Sequence, residues 1–304
     1  MSFVHNLLSC DWYTAMLLGR QDAQDTAASL SAALGGGHSI TPSHGGFNRP
    51  YSLQLDLEGG SLKVFGGAGQ DVFVQATGPA AAPSFEVLRA LWPRHLVSRI
   101  DVAVDYDQAG LYDRLWPLLH GVAVNFKPRP VTTREYGDWV GSDGQLMTGE
   151  AGRGRTLYLG SEKAAVQLRL YQKGHEQTAK HPDQTFSLGW VRAEVQYRPE
   201  KSVHKAAAAS LTLQQAFCAA PFTRASAEAL GLDDAPPIAP PDAHATDTDY
   251  WHYRHYGKYI RRALAGTPDE CFRYFADLHA RYGLPEPVSP VEGKESRSDS
   301  RQAV

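Results

Sequence analysis

Three short stretches of this chain decide its fold: RIDVAVDY (99–106), QLRLYQKGHE (167–176) and WVRAEVQYR (190–198). Each alternates apolar and polar residues with a period of two, which is typical of a strand that buries one face. In the first stretch, for example, Ile100 and Val102 point to one side and Asp101 points to the other. The stretches therefore predict three strands of a sheet with one apolar and one polar face.

The polar sides of the three predicted strands carry groups that are suited to chemistry on a phosphodiester. If the strands belong to one sheet, its polar face collects carboxylates, cations and a tyrosine. A metal-assisted attack on a phosphodiester needs such groups. They are Asp101 and Asp105 in the first stretch, Arg169, Tyr171 and Lys173 in the second, and Arg192 and Glu194 in the third.

Composition and charge describe an ordinary globular protein. The 304 residues are 42% apolar and 21% charged, with a net charge of −3, which argues weakly against a protein that coats nucleic acid non-specifically. Residues 151–205 hold 10 Lys/Arg against 5 Asp/Glu, so the basic excess coincides with two of the predicted strands. No stretch approaches the roughly 20 apolar residues of a membrane span. The 3 cysteines are far apart, and a cytoplasmic location is expected.

The order of the predicted elements favours an α+β fold with an antiparallel sheet and flanking helices. Residues 11–34 predict a helix that ends at three glycines. Strands follow at 51–58, 61–67 and 71–78, with Gly59-Gly60 as a hairpin signal. Helices are expected at 83–92, 110–120 and 201–220, and a hairpin-like pair at 156–161 and 166–173.

Four segments are predicted along the chain. They are an N-terminal helix and loop (1–46), a catalytic core (47–205), a helical C-terminal part (206–284) with a stiff linker at 235–241 and helices within 250–282, and a disordered tail (285–304).

The carboxylates of the predicted polar face can be interpreted either as metal ligands or as partners in structural ion pairs. An unpaired carboxylate in mid-strand is costly, which favours Asp101 as a ligand, whereas Asp105 is equally well explained by pairing with an arginine. Glu194 could form a cross-strand salt bridge instead. Asp101, Glu194 and Asp105 would supply hard oxygen ligands for Mg²⁺ or Mn²⁺. No histidine pair with ligand spacing competes with them.

Tyr171 is one of 14 tyrosines, so packing is its simplest role. Arg169 and Lys173 share its predicted face, and two cations beside a phenol lower the cost of a phenolate and bind a phosphate. A tyrosine activated in this way can form a covalent intermediate.

The order Y-x-G-S (158–161), R-x-Y-x-K-x-x-E (169–176) and W-x-R-x-E (190–194) resembles the replication initiation factor family (Rep_trans), the rolling-circle initiators of small plasmids and filamentous phages. The resemblance spans roughly residues 47–285 and is most specific over 99–198. It implies an antiparallel sheet with flanking helices in a layout like that of HUH endonucleases. It also implies an enzyme that nicks one strand at the replication origin through a covalent 5′-phosphotyrosine and leaves a 3′-OH primer.

The resemblance also implies roles for individual residues. Tyr171 matches the nucleophile, within a segment that contains Arg169, Lys173 and Glu176. Asp101 and Glu194 match the acidic positions that hold a divalent ion. Arg192 and Asp105 match the motif without an assigned role.

The implied partners are origin DNA, as a single-stranded or cruciform nick site, and a host helicase and polymerase. No membrane is involved, and the oligomeric state stays open, with a homodimer as one option. Two other functions compete with the nicking enzyme. One is a metal-dependent DNA nuclease without a covalent step, in which Tyr171 only stacks on a base or contacts phosphate. The other is a catalytically inactive origin-binding protein.

Overall fold

A computed structural model describes residues 8–20, 22–67, 69–137, 139–140, 146–147 and 154–233, together with Arg273. The chain divides into two compact units, residues 1–241 and 242–304. All described residues except Arg273 belong to the first unit.

The described strands mostly follow one another in runs, with helices between the runs and at the end, in an α+β arrangement. The strands are β1 Ser9–Leu17, β2 Ile40–Gly46, β3 Arg49–Leu57, β4 Gly60–Gly66, β5 Val72–Thr77, β6 His95–Asp107, β7 Thr133–Tyr136, β8 Trp139–Val140, β9 Leu146–Met147, β10 Thr156–Leu159, β11 Val166–Tyr171 and β12 Trp190–Tyr197. The helices are α1 Ala23–Ala33, α2 Ala81–Leu91, α3 Leu111–Asn125, α4 Lys173–Lys180, α5 Ser202–Ala208, α6 Leu213–Phe217 and α7 Pro221–Ala229.

Ten of these strands form one sheet, in the order β2-β3-β4-β5-β1-β6-β12-β11-β10-β7. All neighbours in this sheet are antiparallel. β8 and β9 pair only with each other. The three strands of the quoted stretches, β6, β12 and β11, are consecutive neighbours. The expected antiparallel sheet with flanking helices is therefore confirmed.

One face of the sheet, here called the apolar face, forms the core with the helices. Ile100, Val102 and Val104 of β6 are buried in the same hydrophobic cluster as Leu115 of α3 and Phe217 of α6. The period-two pattern of the strands thus places its apolar side against the helices, as expected. The opposite side, here called the polar face, carries Asp101, Glu194 and Arg169.

Two local predictions were wrong. The segment from Asp11 to Leu17 is part of strand β1, and the helix begins only at Ala23. β1 lies between β5 and β6, so its backbone groups are satisfied by two neighbours, and this tertiary pairing overrides the helical propensity of the local sequence. The strand predicted through residue 176 ends at Tyr171, and α4 begins at Lys173.

The remaining local predictions agree with the structure where it describes them. The hairpins β3–β4 and β10–β11 and the helices α2 and α3 lie where they were expected. Residues 201–220 contain the two short helices α5 and α6, and α7 continues the helical C-terminal part. The linker at 235–241, the tail and, except for Arg273, the helices expected at 250–282 lie outside the described residues. The remaining segment boundaries stay predictions. Among the described helices, none is long and apolar enough to cross a membrane.

Candidate active site on the polar face

The register of three central strands brings the predicted side chains together on the polar face. Arg169 of β11 lies opposite Glu194 of β12, and Tyr171 lies opposite Arg192. On the other side of β12, Arg192 lies opposite Asp105 of β6, and Gln196, four residues further along β12, lies opposite Asp101. Residues from distant parts of the chain thereby become neighbours on one surface.

Tyr171 lies at the end of β11, with two cations over its ring. Its hydroxyl donates a hydrogen bond to Oε2 of Glu194 over 3.2 Å. Cζ of Arg169 lies 3.8 Å from the centroid of the Tyr171 ring, and Nζ of Lys173 lies 5.4 Å from it. Only 3% of the tyrosine is exposed, because the Arg169 guanidinium covers it. The two cations expected beside Tyr171, Arg169 and Lys173, are thus present. Lys173, however, lies at the start of α4 and not on the strand.

The electrostatic surroundings keep the Tyr171 hydroxyl protonated in this arrangement. Burial and the charge of Glu194 raise the pKa of Tyr171 well above its ordinary value, and Arg169 and Arg192 counteract only part of this effect. Arg169 also donates through Nη2 to both oxygens of Glu194, over 3.1 and 3.3 Å. The site therefore holds a phenol, a carboxylate and a guanidinium in mutual contact.

Asp101 and Glu194 form a pair of buried carboxylates, and of the two it is Glu194 that contacts Tyr171. They are 2% and 6% exposed, and they lie diagonally across β6 and β12. Arg99 donates to Asp101 through two nitrogens, over 2.9 and 2.5 Å, and Gln196 approaches the same carboxylate at 3.4 Å. Burial raises the pKa of Asp101 to about 6. The hydrogen bonds and charge of Arg99 offset only part of this rise, and the negative charge of Glu194 raises the pKa further.

Asp105 belongs to a separate ion-pair network. Arg192 donates to its two oxygens over 2.8 and 2.7 Å, and to Asp11 over 2.7 Å. The indole nitrogen of Trp190 donates to Asp105 over 2.7 Å. This is the pairing with an arginine that the sequence left open for Asp105. The network links β1, β6 and β12 on the polar face, and therefore holds these three strands together beside Tyr171.

Glu176 faces two lysines on α4. Nζ of Lys173 lies 2.8 Å from one of its oxygens, and Nζ of Lys180 lies 2.7 Å from the other. Burial alone would raise its pKa, but the two lysines outweigh burial and lower it to about 2. Glu176 therefore orients Lys173 beside the tyrosine.

Sequence reasoning missed Arg99, Asp11 and Trp12. Arg99 precedes Asp101 by two residues, so it shares the face of Asp101, and period two could have found it. Its Cζ lies 4.0 Å from the centroid of the Trp12 ring. The sequence predicts a helix over residues 11–34, so it does not indicate that Asp11 and Trp12 lie at the site.

The donor chemistry of Asp101 and Glu194 fits a hard divalent ion. Repulsion between the Asp101 and Glu194 carboxylates helps to raise the pKa of Asp101. A bound cation would relieve this repulsion. Within the parts of the chain that the structure describes, no group of three or more His, Cys, Asp or Glu residues is arranged to hold a metal ion. A metal would therefore rest on two protein carboxylates, with Asp105 held apart by Arg192.

An antiparallel sheet whose polar face places guanidinium groups above buried carboxylates and a tyrosine is suited to bind an anion such as a phosphate. Residues 96–223, less than half of the chain, match the model of the replication initiation factor family (Rep_trans). The resemblance stated from the sequence is therefore confirmed over this part of the chain, which includes every site residue predicted from the sequence.

Among solved structures, one similar chain is a rolling-circle replication initiator protein from Geobacillus stearothermophilus. The alignment has 20% sequence identity and a TM-score of 0.43, and it covers 69% of this chain and 82% of the other. No protein of curated function matches this chain in sequence.

Proposed function

We propose that this protein initiates rolling-circle DNA replication by nicking one strand at an origin, with Tyr171 as the nucleophile. The observation that carries the proposal is the contact of the Tyr171 hydroxyl with Glu194 beneath the Arg169 guanidinium. A nucleophile, a proton acceptor and a phosphate-binding cation thus share one point of the polar face. The family match supports the same function.

The chain's own residues account for the proton and the charge in this reaction. Oη of Tyr171 attacks the phosphorus, and its proton passes to Glu194 as general base. The bond from phosphorus to the 3′ oxygen breaks, leaving a 5′-phosphotyrosine, and the 3′ oxygen takes up a proton from solvent. Arg169 and Lys173 bind the non-bridging oxygens, whose charge grows in the transition state.

A divalent ion, Mg²⁺ or Mn²⁺, held by Asp101 and Glu194 would polarise the scissile phosphate and stabilise the leaving oxygen. Arg99 forms an ion pair with Asp101. Arg192 and Asp105 keep β6 and β12 in register beside the site, which is a positioning role.

DNA must displace Arg169 before the reaction, because this side chain covers the tyrosine. The Arg169 side chain is 28% exposed and rests on Glu194, so a phosphate can offer it an alternative partner. The pKa of Arg169 is raised by Glu194 despite its burial, so it stays charged for this exchange. The host would supply the helicase and the polymerase that extend the 3′ end.

The burial of Tyr171 favours one competing function, a metal-dependent nuclease without a covalent step. In that case the phenol only contacts phosphate or base, and water attacks the phosphorus. A binding protein without activity is the third option, and it needs neither Tyr171 nor the carboxylates.

The test is incubation of the protein with supercoiled origin DNA and Mg²⁺ or Mn²⁺, followed by a denaturing gel. We expect nicked circles with protein on the 5′ end, and none with Tyr171→Phe. Tyr197→Phe, on the same sheet at a half-buried position, is the matched control and should behave as wild type.

Nicked circles without attached protein, made equally by Tyr171→Phe, would support the nuclease. Binding without cutting would support the inactive protein. Asp101→Ala together with Glu194→Ala separates the last two, because a pure binder keeps its affinity without these carboxylates.

A further inference from the structure

An aromatic and basic surface continues from the candidate site to the edge of the sheet. Arg169 lies opposite Tyr158 of β10, and Tyr158 lies opposite Arg134 of the edge strand β7. Likewise, Tyr171 lies opposite Thr156, which lies opposite Tyr136 of β7. These cross-strand rows place Tyr158, Tyr136 and Arg134 on the same polar face as the nucleophile.

The geometry of the two outer tyrosines leaves an aromatic ring free at the edge. Tyr136 and Tyr158 meet edge to face, with ring centroids 5.8 Å apart and an interplanar angle of 85°. Cζ of Arg134 lies 5.5 Å from the centroid of Tyr158. Tyr136 is 55% exposed, so the pair does not bury its ring. Cross-strand packing alone therefore does not account for an aromatic residue at this position.

Charge and spacing indicate what would cover this surface. Two strand spacings separate Tyr136 from Tyr171, about 10 Å, which a neighbouring nucleotide can bridge. Arg134 is paired with Glu162, which is 77% exposed, so a phosphate can replace that partner at little cost. The exposed Tyr136 ring and the half-buried Tyr158 ring with Arg134 beside it match an unpaired nucleic acid, whose bases stack without regard to sequence.

We propose that Tyr136, Tyr158 and Arg134 form a stacking surface for the single-stranded DNA that flanks the nick. The inference rests on the proposed nicking function for its position relative to Tyr171. Single-stranded binding itself can be measured without cleavage. The bases of an intact duplex are stacked on each other, so a duplex cannot use the tyrosine rings in this way.

The experiment measures fluorescence anisotropy with a labelled single-stranded oligonucleotide and with the matching duplex. All variants carry Tyr171→Phe and the buffer contains EDTA, so no strand is cut. We expect Tyr136→Ala to weaken single-strand binding about tenfold, with duplex binding unchanged. Tyr136→Phe keeps the ring and should bind as wild type.

Two further variants make the test sharper. Tyr51→Ala removes a tyrosine of similar exposure from β3, far across the sheet, and should leave binding unchanged. Arg134→Gln should lower the slope of log affinity against log salt by about 0.7, the value for one phosphate contact on a single strand. Thermal unfolding of each variant separates a stacking role from a packing role.

Equal single-strand affinity of Tyr136→Ala and the parent protein would overturn the proposal. An equal loss in Tyr136→Ala and Tyr51→Ala would do the same. A loss confined to Tyr136→Ala, in a protein that never nicks origin DNA, would support the stacking surface while the proposed function fails.

Discussion

The hydroxyl of Tyr171 donates a 3.2 Å hydrogen bond to Glu194, and the same carboxylate binds the guanidinium of Arg169. One buried carboxylate thus holds both the candidate nucleophile and the cation that covers it. Because Arg169 must leave for DNA to enter, Glu194 would be freed to accept the phenolic proton at the moment when substrate arrives. In the proposed mechanism, this arrangement would couple substrate binding to activation of the nucleophile.

Glu194→Gln tests Glu194 in both of its proposed roles, as proton acceptor and as metal ligand. The amide preserves shape and can still accept a hydrogen bond from Tyr171, but it cannot take up a proton. We expect the rate of covalent nicking to fall by about 10²- to 10⁴-fold, the range of a general base. Single-turnover nicking followed on a denaturing gel measures it, and Glu228→Gln, the same exchange at an exposed position of α7, serves as the control. An unchanged single-turnover rate would remove Glu194 from both roles.

Arg99→Gln tests competition between arginine and metal for Asp101. Arg99 makes two charge-assisted hydrogen bonds to this carboxylate, and such bonds contribute about 1.5–3 kcal/mol each, so their loss should raise Mn²⁺ affinity about tenfold or more. Isothermal titration calorimetry on the DNA-free protein measures this affinity. Arg134→Gln, at the sheet edge, should leave it unchanged. Retention of Mn²⁺ binding by Asp101→Asn would show that the ion binds elsewhere.

Asp105→Ala tests whether the ion pair of Asp105 with Arg192 stabilises the sheet beside the site. The Arg192 side chain is only 10% exposed, and the substitution removes two of its hydrogen bonds, so we expect a loss of roughly 1–3 kcal/mol in the free energy of unfolding. Urea denaturation measures it. Asp25→Ala breaks the exposed ion pair with Arg20 and should cost less than about 1 kcal/mol. Equal losses in both variants would argue against this stabilising role.

Glu176 predicts a pH dependence of stability with a definite sign. Its folded pKa of about 2 lies below the ordinary value of 4.5, so its ion pairs stabilise the protein above about pH 4.5, and this contribution is lost as the pH falls toward 2. At pH 7, Glu176→Gln should unfold at a lower temperature than wild type. The difference should shrink as the pH is lowered through this window, as thermal scans at several pH values would measure. A constant difference would contradict the assignment.

The polar and apolar faces of β6, β11 and β12 could be predicted from the sequence because strand geometry has a strict period of two. Once Asp101, Arg169, Tyr171, Arg192 and Glu194 alternate with buried residues, they can only lie on one side of their strands. The order of short motifs also carried the family resemblance, which the match over residues 96–223 confirmed. Local patterns of this kind need no knowledge of distant contacts.

Only the tertiary structure determined which side chains and which strands pair with each other. Nothing local pairs Arg192 with Asp105 and Asp11, since these contacts join residues 87 and 181 positions apart. The sequence of β1 predicts a helix for a similar reason. Its strand conformation depends on hydrogen bonds to β5 and β6, which are distant in the chain. The burial of Tyr171 likewise follows from the packing of Arg169 over its ring. Sequence alone determined which side chains face the site, because that depends on backbone geometry. The register between strands determined their partners, because that depends on the whole sheet.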